Sequence, residues 1–204
     1  MILTYHGGQF IKAQSGEIIV AVNPISKSSK LKTSKFGADI GLISMNSEDF
    51  NGVDEISFGE KRPFVAMGPG EYEVKNVFIK AFASEGVDGK DRKINTIYSV
   101  LFDGMNLCFL GNLSNDELSE EAVEGLVDID ILFVPVGGDT LPPAKSYKLA
   151  ASLGSKLIIP LGEESDVKLF VKEASGGAPE KMDKLTLKKK DLDGKDGEIV
   201  ILNS

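Results

Sequence analysis

Two short runs of this chain carry side chains able to do chemistry. In Ser44-Met45-Asn46-Ser47-Glu48-Asp49-Phe50-Asn51-Gly52, the carboxylates Glu48 and Asp49 sit in a polar loop closed by an Asn-Gly turn. In Pro160-Leu161-Gly162-Glu163-Glu164, two more carboxylates follow a strand-like run. Oxygen donors of this kind suit Mg²⁺, Mn²⁺ or Ca²⁺ better than zinc. A divalent cation held by Glu48, Asp49, Glu163 and Glu164 could activate water or hold a phosphate ester. A serine nucleophile at Ser44 or Ser47 would need an adjacent base, and the single histidine, His6, is distant in sequence. Zinc sites take imidazole, thiolate or carboxylate at about 2.0–2.3 Å, three or four per ion. One histidine and one cysteine cannot build a shell of several imidazoles.

The elements that must position these groups read as alternating strands and helices. Ile40 to Ser44 is apolar on both parities, as a strand buried on both faces should be. Ile2 to Tyr5, Gln9 to Ala13 and Glu17 to Val22 read as short strands joined by Gly7-Gly8 and Ser15-Gly16 turns. Arg62 to Met67, Gly70 to Val74, Val77 to Ala83, Asn95 to Phe102 and Asn106 to Leu110 follow as strands, with Asp103-Gly104 as a hairpin turn. Ser114 to Leu126 reads as a helix, with Ser114 as its cap and Glu117 closing a capping box. The strand Ile129 to Val134 leads into a helix from Pro142, with Thr140 as candidate cap. Lys156 to Pro160 is a strand and Asp166 to Ala174 a helix. The tail from Lys184 to Asn203 reads as two strands, with Lys188-Lys189-Lys190 on a solvated edge.

Several of these runs together resemble one family. A strand Ala38-Asp39-Ile40-Gly41-Leu42-Ile43-Ser44 enters a polar loop. Pro69-Gly70-Glu71-Tyr72-Glu73, Asn95-Thr96-Ile97-Tyr98, Gly111-Asn112-Leu113 and Pro135-Val136-Gly137-Gly138 follow at intervals. The set resembles the metallo-β-lactamase superfamily, in particular its branch of zinc-dependent hydrolases that includes ascorbate-6-phosphate lactonases. The likeness covers roughly residues 2 to 165. It implies an α/β fold, an αββα four-layer sandwich, with a one- or two-zinc pocket at one edge of the sheets. The family's His-x-His-x-Asp-His motif falls on Met45, Ser47, Asp49 and Phe50, so only Asp49 survives. Further family histidines fall on Gly8, in the region from Ser84 to Gly86, and on Gly162. The bridging aspartate becomes Asn112, another family aspartate becomes Asn23, and Asp139 holds a metal-facing position. The resemblance therefore implies a relict pocket of Gly8, Met45, Ser47, Asp49, Phe50, Ser84, Asn112, Asp139 and Gly162. Met45 and Phe50 are expected to fill it with apolar volume.

Composition narrows what such a chain does. At 204 residues with 42% hydrophobic content, a single domain over 1–204 is expected. Twenty-three Lys and Arg against 31 Asp and Glu give a net charge of −8, which disfavours a general nucleic-acid binder. Lys27, Lys30, Lys32 and Lys35 form either a solvated loop or an anion-binding lip. The lone Cys108 lies in an apolar run and reads as a core residue of a protein from a reducing, cytoplasmic compartment. No apolar run reaches the roughly 18 residues of a membrane span. The expectation is a metal-free binding, scaffold or regulatory protein with no cofactor and an unknown partner, or a homo-oligomer. The alternative is a metal-dependent hydrolase of phosphodiesters or lactones with a carboxylate site.

Overall fold

The computed structural model describes residues 1–174 and 179–204. Two sheets face each other. The six-stranded sheet runs in spatial order β13 (Lys184–Thr186), β1 (Ile2–Tyr5), β2 (Ile11–Ser15), β3 (Ile18–Val22), β4 (Ile40–Leu42) and β5 (Phe64–Ala66). The eight-stranded sheet runs β12 (Glu180–Met182), β14 (Glu198–Leu202), β11 (Leu157–Gly162), β10 (Ile131–Val136), β9 (Met105–Phe109), β8 (Asp91–Phe102), β7 (Val77–Asp88) and β6 (Gly70–Val74). The core lies between them. Leu3, Ile11, Val20, Ile40 and Leu42 of the first sheet pack against Ile79, Tyr98, Val100, Phe109, Phe133 and Ile159 of the second. Phe109 and Phe133 stack with ring centroids 4.3 Å apart.

Three helices cover the outer face of the larger sheet. They are α1 (Glu120–Gly125), α2 (Pro143–Leu153) and α3 (Glu164–Glu173). Their inward residues Ala122, Leu149, Ala150 and Phe170 join Ile97, Cys108, Leu132 and Val134 of the strands. This explains why β10 reads as an unbroken apolar run: it is buried on both faces. Over the smaller sheet the outer layer is thin. The loop after β3 and a 3₁₀ turn, Val53–Ile56, supply Ile25, Ala38 and Ile56 to cover Phe10 and Ala21. The αββα sandwich is thus the architecture found, with one outer layer reduced to a turn and a loop. No helix among the described residues is long and apolar enough to cross a membrane.

The helix starts differ from expectation; α3 begins at Glu164, two residues before the expected Asp166. Helix α1 begins at Glu120, and Ser119 caps it by accepting from the Ala122 N–H at 3.2 Å. Ser114 instead donates its hydroxyl to the Glu85 carbonyl, and Asn115 Oδ1 accepts from the Glu117 N–H. One bond to a strand 29 residues away and one local Asx-type bond engage residues 114–117 outside the helix. Likewise Thr140 donates to the Gly137 carbonyl at 2.6 Å and does not cap α2, whose N-cap is Pro142.

Strand direction sets up one edge of the sandwich. β3, β4 and β5 run parallel, and β1 shares their direction through the antiparallel β2. β9, β10, β11 and β14 also run parallel. The carboxyl ends of β1, β4, β9, β10 and β11 therefore lead into neighbouring loops, the position where open α/β sheets bind ligands.

Candidate functional site

A cleft of about 240 Å³ opens where those loops meet. Seven of the nine expected residues line it: Gly8 after β1, Met45, Asp49 and Phe50 after β4, Asn112 after β9, Asp139 after β10 and Gly162 at the end of β11. Ser47 and Ser84 do not. Ser47 turns into a groove beside the 26–31 segment. Ser84 lies within β7, where its hydroxyl accepts from Asn95 Nδ2 at 2.8 Å. The strand expected to stop at Ala83 continues to Asp88, and the tip of the β7–β8 hairpin carries Val87 and Asp88 to the cleft.

The floor is filled and cross-linked. Met45 is 2% exposed and Phe50 is 8% exposed, so both occupy volume inside the site. Asn112 Nδ2 donates to the Val87 carbonyl at 2.5 Å, and its Oδ1 accepts from Gln9 Nε2 at 3.4 Å. The Asn112 N–H is held by Asn95 Oδ1 at 2.8 Å. Asn23, in the left-handed conformation at φ 51°, accepts the Ser44 N–H at 2.8 Å. Asparagine tolerates this backbone and brings its own acceptor.

The carboxylates are held in different ways. Asp49 accepts from the Ser29 hydroxyl, and Ser29 Oγ accepts the Leu31 N–H at 2.9 Å. Leu31 in turn lies over Gly8, where an added Cβ would come 3.1 Å from its Cδ1. Asp49 thus anchors the segment that roofs the cleft. Asp49→Ala is expected to speed amide exchange at Leu31 while lowering global stability by only about 1 kcal/mol. Unchanged exchange at Leu31 would show that the latch is not made in solution. Asp139 accepts the Gly89 N–H at 2.9 Å and so ties down the hairpin tip. Lys93 bonds Asp88 at 2.6 Å and holds its carboxyl below the usual range. Burial, reinforced by the negative Glu163, pushes the Tyr5 phenol up to about 12, and its O–H donates to the Gly8 carbonyl at 2.7 Å.

The remaining expected groups fall elsewhere. Glu48 is exposed, and Glu164 faces outward to Lys168 at 2.7 Å. Among the described residues, no three His, Cys, Asp or Glu side chains are grouped so that they could hold one ion. The set Glu48, Asp49, Glu163 and Glu164 is therefore not assembled as a ligand shell. Lys30 and Lys32 border different grooves, so the lysines of residues 27–35 do not converge. His6 packs against the rings of Phe10 and Phe36 at 5.0 and 5.6 Å. Burial, with help from Lys12, lowers its pKa, and it does not line the cleft. Tyr5, Gln9, Leu31, Asp88 and Asp166 are among the lining residues that were not anticipated from sequence. Asp166 had a local signal, since it follows Glu163 by three residues in the first turn of α3.

The family model for the Beta-lactamase superfamily domain matches residues 2–162. The chain belongs to the metallo-β-lactamase superfamily. A candidate Zn-dependent hydrolase of that superfamily from Thermotoga maritima superposes with a TM-score of 0.78 at 24% identity, covering 98% of this chain and 97% of that one. A candidate metal-dependent hydrolase from Parabacteroides distasonis gives 0.66 at 17% identity, over 98% and 93%. The metallo-β-lactamase fold protein YhfI from Bacillus subtilis gives 0.65 at 9%, over 100% and 96%. At these identities the likeness is one of fold. No curated protein matches the sequence.

The zinc implied by the metallo-β-lactamase fold does not fit the residues present. A thioether, a carboxamide and scattered carboxylates surround the cleft, whereas zinc asks for a compact tetrahedron of nitrogen, sulfur or oxygen donors. A side chain at Gly162 would place its Cβ 2.2 Å from the Val136 carbonyl oxygen. At Gly8, φ is +57° and Leu31 closes over the space.

Proposed function

We propose that this member of the superfamily is a non-catalytic binding or regulatory protein that keeps the ancestral cleft without zinc hydrolysis. The observation that carries the reading is Met45. It is 2% exposed at a position where the family resemblance expects a metal-binding imidazole, and its sulfur lies 4.0 Å from Asn112 Nδ2. Two neutral side chains in contact there replace an imidazole and a bridging carboxylate. The trade is chemically consistent, because a buried carboxylate without its cation is costly, and an amide is satisfied by Val87 and Gln9.

Metal content of the purified full chain tests this directly. After incubation with excess zinc and desalting, less than 0.1 zinc per chain is expected by mass spectrometry, on the order of free-solution carry-over. The melting temperature with and without zinc is expected to coincide. About one zinc per chain, or hydrolysis of a phosphodiester or lactone that a chelator abolishes, overturns the reading.

A further inference from the structure

One lateral side of the sandwich leaves two strands without an outer neighbour. β6 ends the eight-stranded sheet and β5 ends the six-stranded one. The two edges lie side by side, with the rings of Phe64 in β5 and Tyr72 in β6 5.8 Å apart. β6 pairs with β7, and among the described residues no other backbone group bonds to it. Half of its N–H and C=O groups therefore point away from the sheet, the template that strand addition uses. β5 offers less, because Pro63 precedes it and brings no donor to its start.

Register fixes what an added strand meets. Glu71 lies opposite Lys80, and Glu73 opposite Phe78. Phe78, Lys80 and Phe82 alternate onto one face of β7, and Phe82 belongs to the layer under the helices, so both glutamates are on the outer face. The Glu71 side chain is 78% exposed, and its contact with Lys80 is loose at 3.6 Å. Glu73 is exposed and faces the exposed Phe78 in place of a cation, with exposed Leu101 beyond. On the inner face, Tyr72 packs half-buried against the core beside exposed Phe64. The edge is thus acidic, aromatic and acidic on alternating faces. A second copy of this chain does not suit it. Antiparallel pairing of β6 with itself, centred on Tyr72, sets Glu71 against Glu73 at both ends, and moving the centre by one residue sets Glu71 or Glu73 against itself. Like charges directly opposite destabilise a strand pair.

We propose that β6 docks an extended segment of another protein in which basic and apolar residues alternate. The segment's backbone continues the sheet. Two of its basic side chains meet Glu71 and Glu73, and the apolar side chain between them covers Tyr72 and Phe64. Charge complementarity selects this partner, since opposite charges across a strand pair stabilise it. A lysine opposite Glu73 also lays its alkyl stem over Phe78. β6 pairs with the first residues of β7, whose other end reaches the cleft. The docking edge therefore does not depend on what the cleft holds.

Titration of the full chain at low ionic strength with acetylated, amidated peptides tests this. The probes are Thr-Lys-Val-Lys-Val-Lys-Thr, its rearrangement Thr-Lys-Lys-Lys-Val-Val-Thr, and the acidic Thr-Glu-Val-Glu-Val-Glu-Thr. The alternating basic peptide is expected to bind at least about tenfold more tightly than the rearranged one. Added salt should weaken it, and the acidic peptide should not bind. Its binding should slow amide exchange across residues 70–74. Glu71→Gln combined with Glu73→Gln should weaken it about tenfold or more. Equal affinity for the two basic peptides would reflect only attraction to a chain of net charge −8, and overturns the proposal. So does the absence of binding, binding that leaves exchange at residues 70–74 unchanged, or an unchanged affinity in the double variant. Slowed exchange at residues 70–74 in a dimer of the chain alone would assign the edge to a second copy and likewise overturns it.

Discussion

Gly162→Ala is expected to destabilise the protein by about 3 kcal/mol or more, and Gly162→His by at least as much. Gly162 pairs with Val136 at the end of the parallel β10–β11 ladder. A Cβ there would meet the Val136 carbonyl oxygen at 2.2 Å, against backbone that cannot rotate aside. One of the two strands must shift, and both are buried over most of their length. Gly68→Ala is the control, because nothing lies within 4 Å of its added Cβ; it should change stability by less than about 0.5 kcal/mol. Urea unfolding of the three variants reads the difference. A Gly162→Ala variant within about 1 kcal/mol of the parent would show that β10 and β11 part easily. The consequence reaches the site. Restoring an imidazole at the position where the family's last ligand falls is a backbone problem before it is a ligand problem. Met45→His and Phe50→His therefore cannot by themselves rebuild a zinc shell.

Much of this arrangement is legible in the residues. Ile40 to Ser44 announces a buried strand, although only Ile40–Leu42 joins the ladder. The two bulky side chains of the loop after it are buried where the family resemblance puts them. The two strands at the middle of the larger sheet are legible as well, because apolar runs on both parities at Ile131–Val136 and Leu157–Gly162 mark strands covered on both faces. What escapes the sequence is held by contacts between distant residues. The β7–β8 hairpin was not legible past Ala83, because Ser84-Glu85-Gly86 breaks the alternation. Its tip is fixed by Gly89 bonding Asp139, 50 residues away, and by Val87 bonding Asn112, 25 residues away. Ser29 and Asp49 are likewise joined across 20 residues. Lys189 looked like one member of a solvated run, yet its ammonium bonds a buried carboxylate 59 residues away. No local periodicity encodes such pairs. The cleft's walls were therefore readable and its rim was not.

That buried carboxylate, Asp130, carries the other large expected effect. It is 1% exposed and precedes β10 by one residue. Its Oδ2 accepts the Asn106 N–H at 2.8 Å and Lys189, and its Oδ1 accepts Lys156 at 2.8 Å. The other sheet repeats the device. Asp39 precedes β4 by one residue, accepts the Ile19 N–H at 2.9 Å, and is gripped by Lys61 and Lys75. In each half an aspartate pins the start of an interior strand to its parallel neighbour, so the loops at the far ends of those strands are held in register. Burial pushes the Asp130 carboxyl up. The bonds from Lys156, Lys189 and Asn106 outweigh burial, leaving its pKa below the ordinary carboxylate range. A depressed folded-state pKa gives stability that is fully present above the unfolded value of about 3.9 and is lost as pH falls through the folded value. Asp130→Ala removes the acceptor and leaves two ammonium groups and an amide unanswered. Losing a buried ion-pair partner costs about 3–5 kcal/mol. The lysine side chains are 36% and 50% exposed and can turn to water, so the lower end, about 3 kcal/mol, is expected. For a chain of this size that lowers the melting temperature by about 6–12 °C at neutral pH. Asp130→Asn keeps an acceptor for Asn106 and should lose less, about 1–2 kcal/mol. Both variants should show a shallower fall in stability below about pH 4 than the parent, because one depressed carboxyl is gone. Parallel acid-unfolding curves for parent and Asp130→Ala would mean that the two lysines do not hold Asp130 ionised, and that the strand start is pinned by packing alone.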